Sequence, residues 1–174
     1  MKRFCVVGPC GAGKSVMARR LGARLGLPVC HIDTLFWKPG WVERSNEELA
    51  GLLEPVVAGE RWVIDGNFAA TLGIRLARAD TVVWLDYPAR VYRWRVLKRQ
   101  VTGRWRGRPD MAAGCRESFD LEFLRYAWDF ERTGRPALVA ALEGRSAGVE
   151  LVRLRTVGEG EGWLERASEY SDKQ

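Results

Sequence analysis

Short, almost wholly apolar runs alternate along the chain with longer segments in which apolar residues recur every three or four positions. The runs predict strands of a parallel sheet, because such strands have both faces buried. They fall at residues 2–7, 28–32, 61–67, 80–86 and 149–154. The periodic segments predict amphipathic helices. Strands that alternate with helices form a parallel sheet covered on both faces, so the pattern indicates an α/β fold.

Capping and breaking residues bound the predicted helices. The first helix begins near Lys14 and ends at Gly26. The second begins at Ser45, whose spacing to Glu48 fits a capping box, and ends at Gly59. Further helices are expected at 71–79, about 89–101 and 118–133, with a second piece that runs to Gly144 and a last helix through Trp163 and Leu164. The 118–133 helix is expected to bury Phe119, Phe123, Tyr126, Ala127 and Phe130.

Length and composition limit the kinds of protein that this sequence can encode. The 174 residues predict a single domain over 1–174 that buries its own core. No apolar run approaches the roughly 20 residues needed to span a membrane, and no signal-peptide pattern precedes the first strand. A cytoplasmic protein is therefore expected. The four cysteines form no C-x-x-C pair and His31 is the only histidine, which gives little support to a structural zinc site.

The stretch GPCGAGKS, residues 8–15, carries the most specific chemical signal. It follows the first predicted strand and opens the first helix, which is the context that a phosphate-binding loop requires. Glycines let main-chain N–H groups approach a polyphosphate, and the positive end of the helix points at the same anion. A chance glycine-rich turn is the alternative. The predicted nucleotide contacts are Gly8, Pro9, Cys10, Gly11, Ala12, Gly13, Lys14, Ser15 and Val16.

Two residues of this loop have distinct chemical roles. Lys14 is expected to reach the β- and γ-phosphate oxygens and to act as a catalytic residue. Ser15 is expected to place its hydroxyl on Mg²⁺. The loop therefore predicts a magnesium-bound polyphosphate as its ligand.

Three aspartates close predicted strands. Asp33 ends the second strand, at the edge where ligands bind in open α/β sheets, although it could also cap the next turn. Asp65 ends the third strand in the Walker B arrangement, in which the carboxylate holds Mg²⁺, often through water. Asp86 competes for that role. Because Pro88 follows it, we interpret Asp86 as closing the fourth strand and capping the next helix.

An aromatic segment, residues 35–41, follows Asp33 and contains a Pro-Gly turn. Trp37 and Trp41 either line an acceptor pocket or cover an edge of the core. Core cover is the commoner role for any single tryptophan.

A basic segment is the strongest charge feature of a chain whose net charge is +6, and no acid occurs between Asp86 and Asp110. One interpretation is a lid at about 101–120 whose arginines neutralise transferring phosphates. A second is a nucleic-acid patch, with Trp105 as a stacking residue. A solvated basic helix is the third. The basic residues are Arg90, Arg93, Arg95, Lys98, Arg99, Arg104, Arg106 and Arg108.

Six segments in combination resemble those of a known family. They are residues 8–15, His31-Ile32-Asp33, the Trp37/Trp41 pair, residues 62–67, Leu85-Asp86 and residues 120–124. Together they are similar to adenylate-kinase-like P-loop kinases of the FlaR type, often described as DNA topology modulation proteins. The resemblance implies a three-layer P-loop NTPase fold whose five-stranded parallel sheet has the order 2-3-1-4-5. It also implies ATP and Mg²⁺ as cofactors, and phosphoryl transfer to a small acceptor.

The resemblance also implies roles for residues outside the loop. Adenylate kinases carry Arg, a short spacer and Gly-Arg at the entrance of the lid, and this chain is similar with one extra residue. By that likeness Arg99 stacks on adenine and Arg104 is a catalytic contact to phosphate. Asp33 sits where shikimate-kinase-like enzymes place an acid near the acceptor hydroxyl.

The sequence departs from that of adenylate kinases in the segment that binds the acceptor of the phosphoryl group, here called the acceptor side. The Asp-Gly pair of those enzymes is matched at residues 65–66, but Asn67-Phe68-Ala69 stands in place of Phe-Pro-Arg. The arginine that binds an acceptor phosphate is thus missing from its usual place. Arg44 or Arg75 could substitute for it.

Two functions follow from these features. The first is an ATP-dependent kinase in which Ser15 and Asp65 hold Mg²⁺ and Asp33 orients or deprotonates a small-molecule or nucleotide acceptor. The second is a nucleotide-regulated nucleic-acid-binding protein that affects DNA topology through residues 90–108, with a steep dependence on salt. The loop, the acid and the lid form one coherent phosphoryl-transfer centre, which favours the kinase. A monomer or small homo-oligomer is expected, with at most weak binding of nucleic acid.

Overall fold

The structure, a computed structural model, describes residues 2–102, 112, 114, 115 and 120–167. Its strands are β1 (Arg3–Val7), β2 (Val29–His31), β3 (Trp37–Lys38), β4 (Val42–Glu43), β5 (Trp62–Asp65), β6 (Thr81–Leu85) and β7 (Glu150–Leu154). Its helices are α1 (Lys14–Leu25), α2 (Ile32–Phe36), α3 (Asn46–Ala58), α4 (Ala69–Leu76), α5 (Ala89–Thr102), α6 (Leu121–Asp129), α7 (Gly134–Glu143) and α8 (Val157–Arg166).

Five of these strands form one parallel sheet in the order β2-β5-β1-β6-β7, and β3 and β4 form a separate antiparallel hairpin. Counted along the chain, the strands of the main sheet have the order 2-3-1-4-5. The predicted α/β fold and sheet order are therefore confirmed.

Within the described residues, no helix is both long enough and apolar enough to cross a membrane.

Helices cover both faces of the sheet, which explains why its strands lack an alternating pattern. Phe4 and Val6 of β1 pack with residues of α1 and α8, whereas Cys5 and Val7 pack with residues of α3, α4 and α7. All four side chains are fully buried. Each face therefore has its own apolar cluster, and a strand between two clusters needs apolar residues at every position.

Local details differ from the sequence expectations in three places. β2 ends at His31, so Asp33 lies inside the first turn of α2 and is not its N-cap. α6 begins at Leu121, because the side chain of Asp120 accepts hydrogen bonds from the first-turn N–H groups and caps the helix. Tyr126 was expected to be buried and is half exposed. The predicted capping box at Ser45 is confirmed.

The carboxyl ends of the parallel strands meet at one edge of the sheet, where ligands bind in open α/β folds. The 8–13 loop follows β1, His31 ends β2, Asp65 ends β5, and Asp86 follows β6. The fold thus brings residues from four separate parts of the chain to the same edge.

At the opposite edge, Asp80 joins the first residues of the chain to β6. Its carboxylate accepts hydrogen bonds from the N–H groups of Lys2 and Arg3, at 2.8 and 3.0 Å, and from the Arg3 guanidinium. Partial burial opposes ionisation, but these bonds outweigh it and hold the pKa of Asp80 below its ordinary value.

This contact predicts a pH-dependent contribution to stability. A carboxyl whose pKa is lower in the folded state stabilises the fold above its unfolded pKa, and that stabilisation is lost as the pH falls. We expect Asp80→Asn to lower the free energy of unfolding by about 1–2 kcal/mol at pH 7. The difference from wild type should shrink below about pH 4. Urea unfolding at several pH values measures it. A Glu54→Gln variant, which changes an exposed acid on α3, is the control, and a pH-independent difference would contradict the account.

Candidate active site

The 8–13 loop is shaped by close contact with the elements around it. Gly8 and Gly11 have φ angles of 145° and 82°. A methyl group on Gly8 would lie 2.6 Å from the carbonyl oxygen of Leu85, and one on Gly11 would lie 2.5 Å from that of Tyr92. Both distances are shorter than van der Waals contact, so glycine is required at each position. The loop is therefore pressed against the end of β6 and against α5.

The amino terminus of α1 opens onto this loop. Gly13 is the N-cap, with a left-handed backbone, and no side chain among the described residues caps the helix. N–H groups of the first turn are thus directed at the loop, where they suit an anion. The Lys14 ammonium reaches back over the loop and donates to the carbonyl oxygen of Pro9 at 3.1 Å. This glycine cradle, with N–H donors and a lysine across it, fits the phosphates of a nucleotide.

Asn67 connects the loop to the end of β5. Its carboxamide accepts a hydrogen bond from the Gly8 N–H at 3.0 Å and donates one to the Gly8 carbonyl at 2.9 Å. The side chain thus makes hydrogen bonds with both backbone polar groups of the first loop glycine.

Asp65 pairs with the single histidine of the chain. The Asp65 Oδ1 and His31 Nδ1 atoms are 2.6 Å apart, and the side chains are only 4% and 12% exposed. Because an ionised carboxylate can only accept, the imidazole donates this bond. The contact fixes the orientation of the Asp65 carboxylate. A serine hydroxyl and a carboxylate are oxygen donors that suit Mg²⁺, which keeps several waters when bound, so Ser15 and Asp65 fit that ion.

Asp86, the competing strand-end acid, is held by two arginines. Arg135 donates to its two oxygens at 3.2 and 3.1 Å, and Arg153 donates to Oδ2 at 2.8 and 2.5 Å. Both guanidinium groups also lie over the ring of Trp84. This network gives Asp86 a structural role, and Asp65 is left as the better candidate for the metal.

Tyr126 lies on α6, where it is half exposed and its ring contacts that of Phe123. Burial of its hydroxyl, with contributions from the Cys10 thiol and the Asp33 carboxylate, raises the pKa of Tyr126 to about 12. Burial and the two acidic groups all disfavour the ionised phenolate of this tyrosine.

Helix α5 supplies arginines to the same region. Arg95 donates to the carbonyl oxygen of Ala12 at 3.0 Å, which places a positive charge beside the loop. The guanidinium of Arg99 lies 5.0 Å from the centroid of the Phe123 ring of α6, in a cation–π arrangement. Arg104 and most of the predicted lid at about 101–120 lie outside the described residues. The sequence indicated a basic helix but not that Arg95 contacts the loop.

The two arginines suggested as substitutes for the missing acceptor arginine bind backbone carbonyls instead. Arg75 is fully buried and donates to the carbonyl oxygens of Gly66, Asn67 and Phe68. Arg44 donates to the carbonyl oxygen of Leu35 at 2.6 Å. Both side chains therefore hold turns in place, and Arg75 in particular has no access to a ligand.

An aromatic cluster borders Asp33. Phe36 contacts Trp37 and Phe68, with ring centroids 4.9 and 4.7 Å apart, and Trp37 contacts Trp41 at 5.3 Å. Trp41 has a φ of 63° and is 38% exposed at the tip of the β3–β4 hairpin. The hairpin therefore forms an apolar wall that continues from α2 to the surface.

Comparison with known proteins identifies the fold. No protein-family model and no curated protein sequence matches the chain. Among solved structures, shikimate kinase from Acinetobacter baumannii in complex with shikimate matches 100% of this chain and 96% of its own, with 13% identity and a TM-score of 0.64. Shikimate kinase from Bacteroides thetaiotaomicron matches 97% of each chain, with 16% identity and a TM-score of 0.58.

A sugar kinase from Janibacter sp. HTCC2649 covers 99% of this chain and 95% of its own, with 18% identity and a TM-score of 0.53. At these identities the likeness shows the fold. The chain therefore has the fold of the P-loop kinases, as the sequence predicted, while its assignment to the FlaR type stays a prediction.

Proposed function

We propose that this protein is an ATP-dependent kinase that transfers the γ-phosphate of ATP to a hydroxyl group of a small molecule. The observation that carries the proposal is that the phosphate-binding loop and Asp33 lie at the same edge of the sheet: the loop follows β1, and Asp33 lies in the first turn of α2, directly after β2. The turn after β5 connects the two places, because Asn67 makes hydrogen bonds with Gly8 of the loop and Gly66 packs against Ile32, the residue before Asp33. A phosphate donor and a hydroxyl acceptor bound at these two places would be neighbours. The six segments that resemble those of adenylate-kinase-like proteins of the FlaR type also imply phosphoryl transfer from ATP.

Each residue of the site would act on a particular group of the substrates or on the metal ion. The loop N–H groups and Lys14 bind and orient the β- and γ-phosphates, and Arg95 adds positive charge beside the loop. Ser15 and Asp65 would hold Mg²⁺, which neutralises phosphate charge when bound. The acceptor oxygen forms a bond to the γ-phosphorus as the bond to the bridging oxygen breaks, and ADP leaves. The Asp33 carboxylate takes the proton of the acceptor hydroxyl.

The acceptor side favours a hydroxyl compound over a nucleoside monophosphate. Arg75 and Arg44, the arginines suggested for an acceptor phosphate, bind carbonyl oxygens of the chain. Asp33 suits a group that donates a proton. The structural neighbours include kinases whose names specify shikimate and sugars, which carry hydroxyl groups.

An acceptor panel combined with Asp33→Asn tests this function. We expect ADP formation by the wild type to accelerate with at least one hydroxyl metabolite, and Asp33→Asn to lower that kcat by about 100-fold, because the amide cannot take the proton. The KM for ATP should change little, since Asp33 lies on the acceptor side. Glu43→Gln, which alters an exposed acid on β4, is the matched control. Full acceptor-dependent turnover in Asp33→Asn would contradict the role of this residue.

The nucleic-acid hypothesis stays a prediction. Two of the basic residues on which it depends make contacts within the protein: Arg93 donates to the Trp128 carbonyl, and Arg95 donates to Ala12. If DNA binds, its affinity should fall steeply with salt, because neutralised phosphates release counterions.

A further inference from the structure

We propose that Asn67 is a positioning residue that fixes the phosphate-binding loop to the acceptor side of the site. This inference rests on the proposed function, since it concerns how the two substrates are aligned. The carboxamide makes both hydrogen bonds to Gly8, one as acceptor at 3.0 Å and one as donor at 2.9 Å. It thus takes the place of a backbone peptide group.

The pairing continues the β-sheet beyond its last residues. β1 and β5 pair in parallel up to Val6 and Asp65, and the Gly66 N–H then donates to the Val6 carbonyl at 3.1 Å. At Gly66 the backbone turns away, with a φ of 123°. The side chain of Asn67 makes the next pair of bonds, to Gly8. The loop is consequently held in register with the end of β5.

The turn that carries Asn67 is itself held rigidly. The guanidinium of Arg75 is fully buried and donates to the Gly66 carbonyl at 2.6 Å, and also to the carbonyls of Asn67 and Phe68. Phe68 has a φ of 32°, which is unusual for a residue with a side chain. Because the backbone of Asn67 is held in place by Arg75, the Asn67 carboxamide can hold the phosphate-binding loop in one position.

The same turn contacts the helix that carries the acceptor acid. A methyl group on Gly66 would lie 3.1 Å from the Cβ of Ile32, the first residue of α2. Asp33 is the next residue of that helix. Asn67 therefore joins the loop that binds the donor to the turn against which the Asp33 helix packs.

Only a carboxamide of this length can make both bonds. Aspartate would accept from the Gly8 N–H but would place its second oxygen against the Gly8 carbonyl, because a carboxylate has no donor. It would also add a negative charge beside a loop that binds polyphosphate. Alanine would leave both Gly8 groups unpaired. Asn67→Asp should therefore harm nucleotide binding more than Asn67→Ala does.

The test compares ADP affinity and thermal stability in the full-length wild type, Asn67→Asp and Asn67→Ala. We expect Asn67→Asp to weaken ADP binding about tenfold or more, Asn67→Ala by a smaller factor, and both to lower acceptor-dependent kcat. Asn46→Asp, which changes an exposed asparagine of α3, should bind ADP as the wild type does. A purely structural role would lower the Tm and leave ADP affinity in the folded protein unchanged.

The outcomes separate this inference from the proposed function. If the wild type transfers phosphate and both Asn67 variants bind ADP and turn over as it does, the positioning role is wrong and the kinase stands. If the wild type neither binds ADP nor transfers phosphate, both are wrong. Hydrogen exchange in the wild type gives a test that needs no variant: the Gly8 amide should exchange at least tenfold more slowly than in an unfolded peptide. Unprotected exchange at Gly8 would overturn the pairing.

Discussion

Replacement of Lys14 by alanine is expected to lower kcat/KM for phosphoryl transfer by about 1,000-fold and to leave the fold intact. The ammonium lies across the loop, where it contacts the Pro9 carbonyl at 3.1 Å. From there it can move onto the β- and γ-phosphate oxygens. Removal of one positioned charge that stabilises a transition state costs on the order of 10²–10³ in rate. A coupled assay of ADP formation measures the loss.

The control for this variant is Lys2→Ala, which removes a lysine at the opposite edge of the sheet. The Lys2 contact to Asp80 comes from its backbone N–H and survives the substitution. Equal Tm values for the two variants would show that the loss in Lys14→Ala is catalytic. Turnover at the wild-type rate in Lys14→Ala would exclude the loop as the phosphate site.

Arg75→Met is expected to lower the free energy of unfolding by about 3 kcal/mol. The guanidinium is fully buried and donates to carbonyls of the 66–68 turn. Methionine fills part of the volume but leaves those acceptors without a donor. Burial lowers the pKa of Arg75, while the neighbouring Cys5 and Asp65 oppose that shift.

Denaturant unfolding measures this loss, with Arg78→Met as the matched control. Arg78 follows the same helix but is exposed, with one bond to the Ala58 carbonyl at 3.2 Å. Its loss should cost less than about 0.5 kcal/mol. Equal effects of the two substitutions would show that the contacts of Arg75 do not stabilise the turn.

The sequence predicted those features that are encoded locally. The spacing of glycines, lysine and serine in residues 8–15 identifies a phosphate loop because each residue has its own geometric role. The Ser45 and Glu48 pair identifies a helix start for the same reason. The apolar runs predict a covered parallel sheet, and the order of its strands came from the resemblance to a family.

Contacts between distant residues were not predictable from the pattern. Asn67 is 59 positions from Gly8, and His31 is 34 positions from Asp65. Nothing in the residue types specifies these pairs until the parallel sheet brings the strand ends together. Arg75, a charged residue on a short helix, would ordinarily be placed in solvent, yet the turn before the helix encloses it.

Helical periodicity also misassigned one side chain. It placed Tyr126 on the same buried face as Ala127 and Phe130, and those two are indeed buried. Tyr126, by contrast, is half exposed. Periodicity predicts on which face of a helix a side chain lies, but not whether another part of the protein covers that face.

Phosphorus-31 NMR of the wild type with Mg²⁺, ATP and the accelerating acceptor tests the central claim most directly. We expect a new phosphomonoester resonance whose amount equals that of the ADP formed, and only a trace of either product in the same time with Lys14→Ala. ATP that is bound without forming a phosphomonoester from any hydroxyl compound, or a nucleoside diphosphate from any nucleoside monophosphate, would contradict the assignment as a kinase.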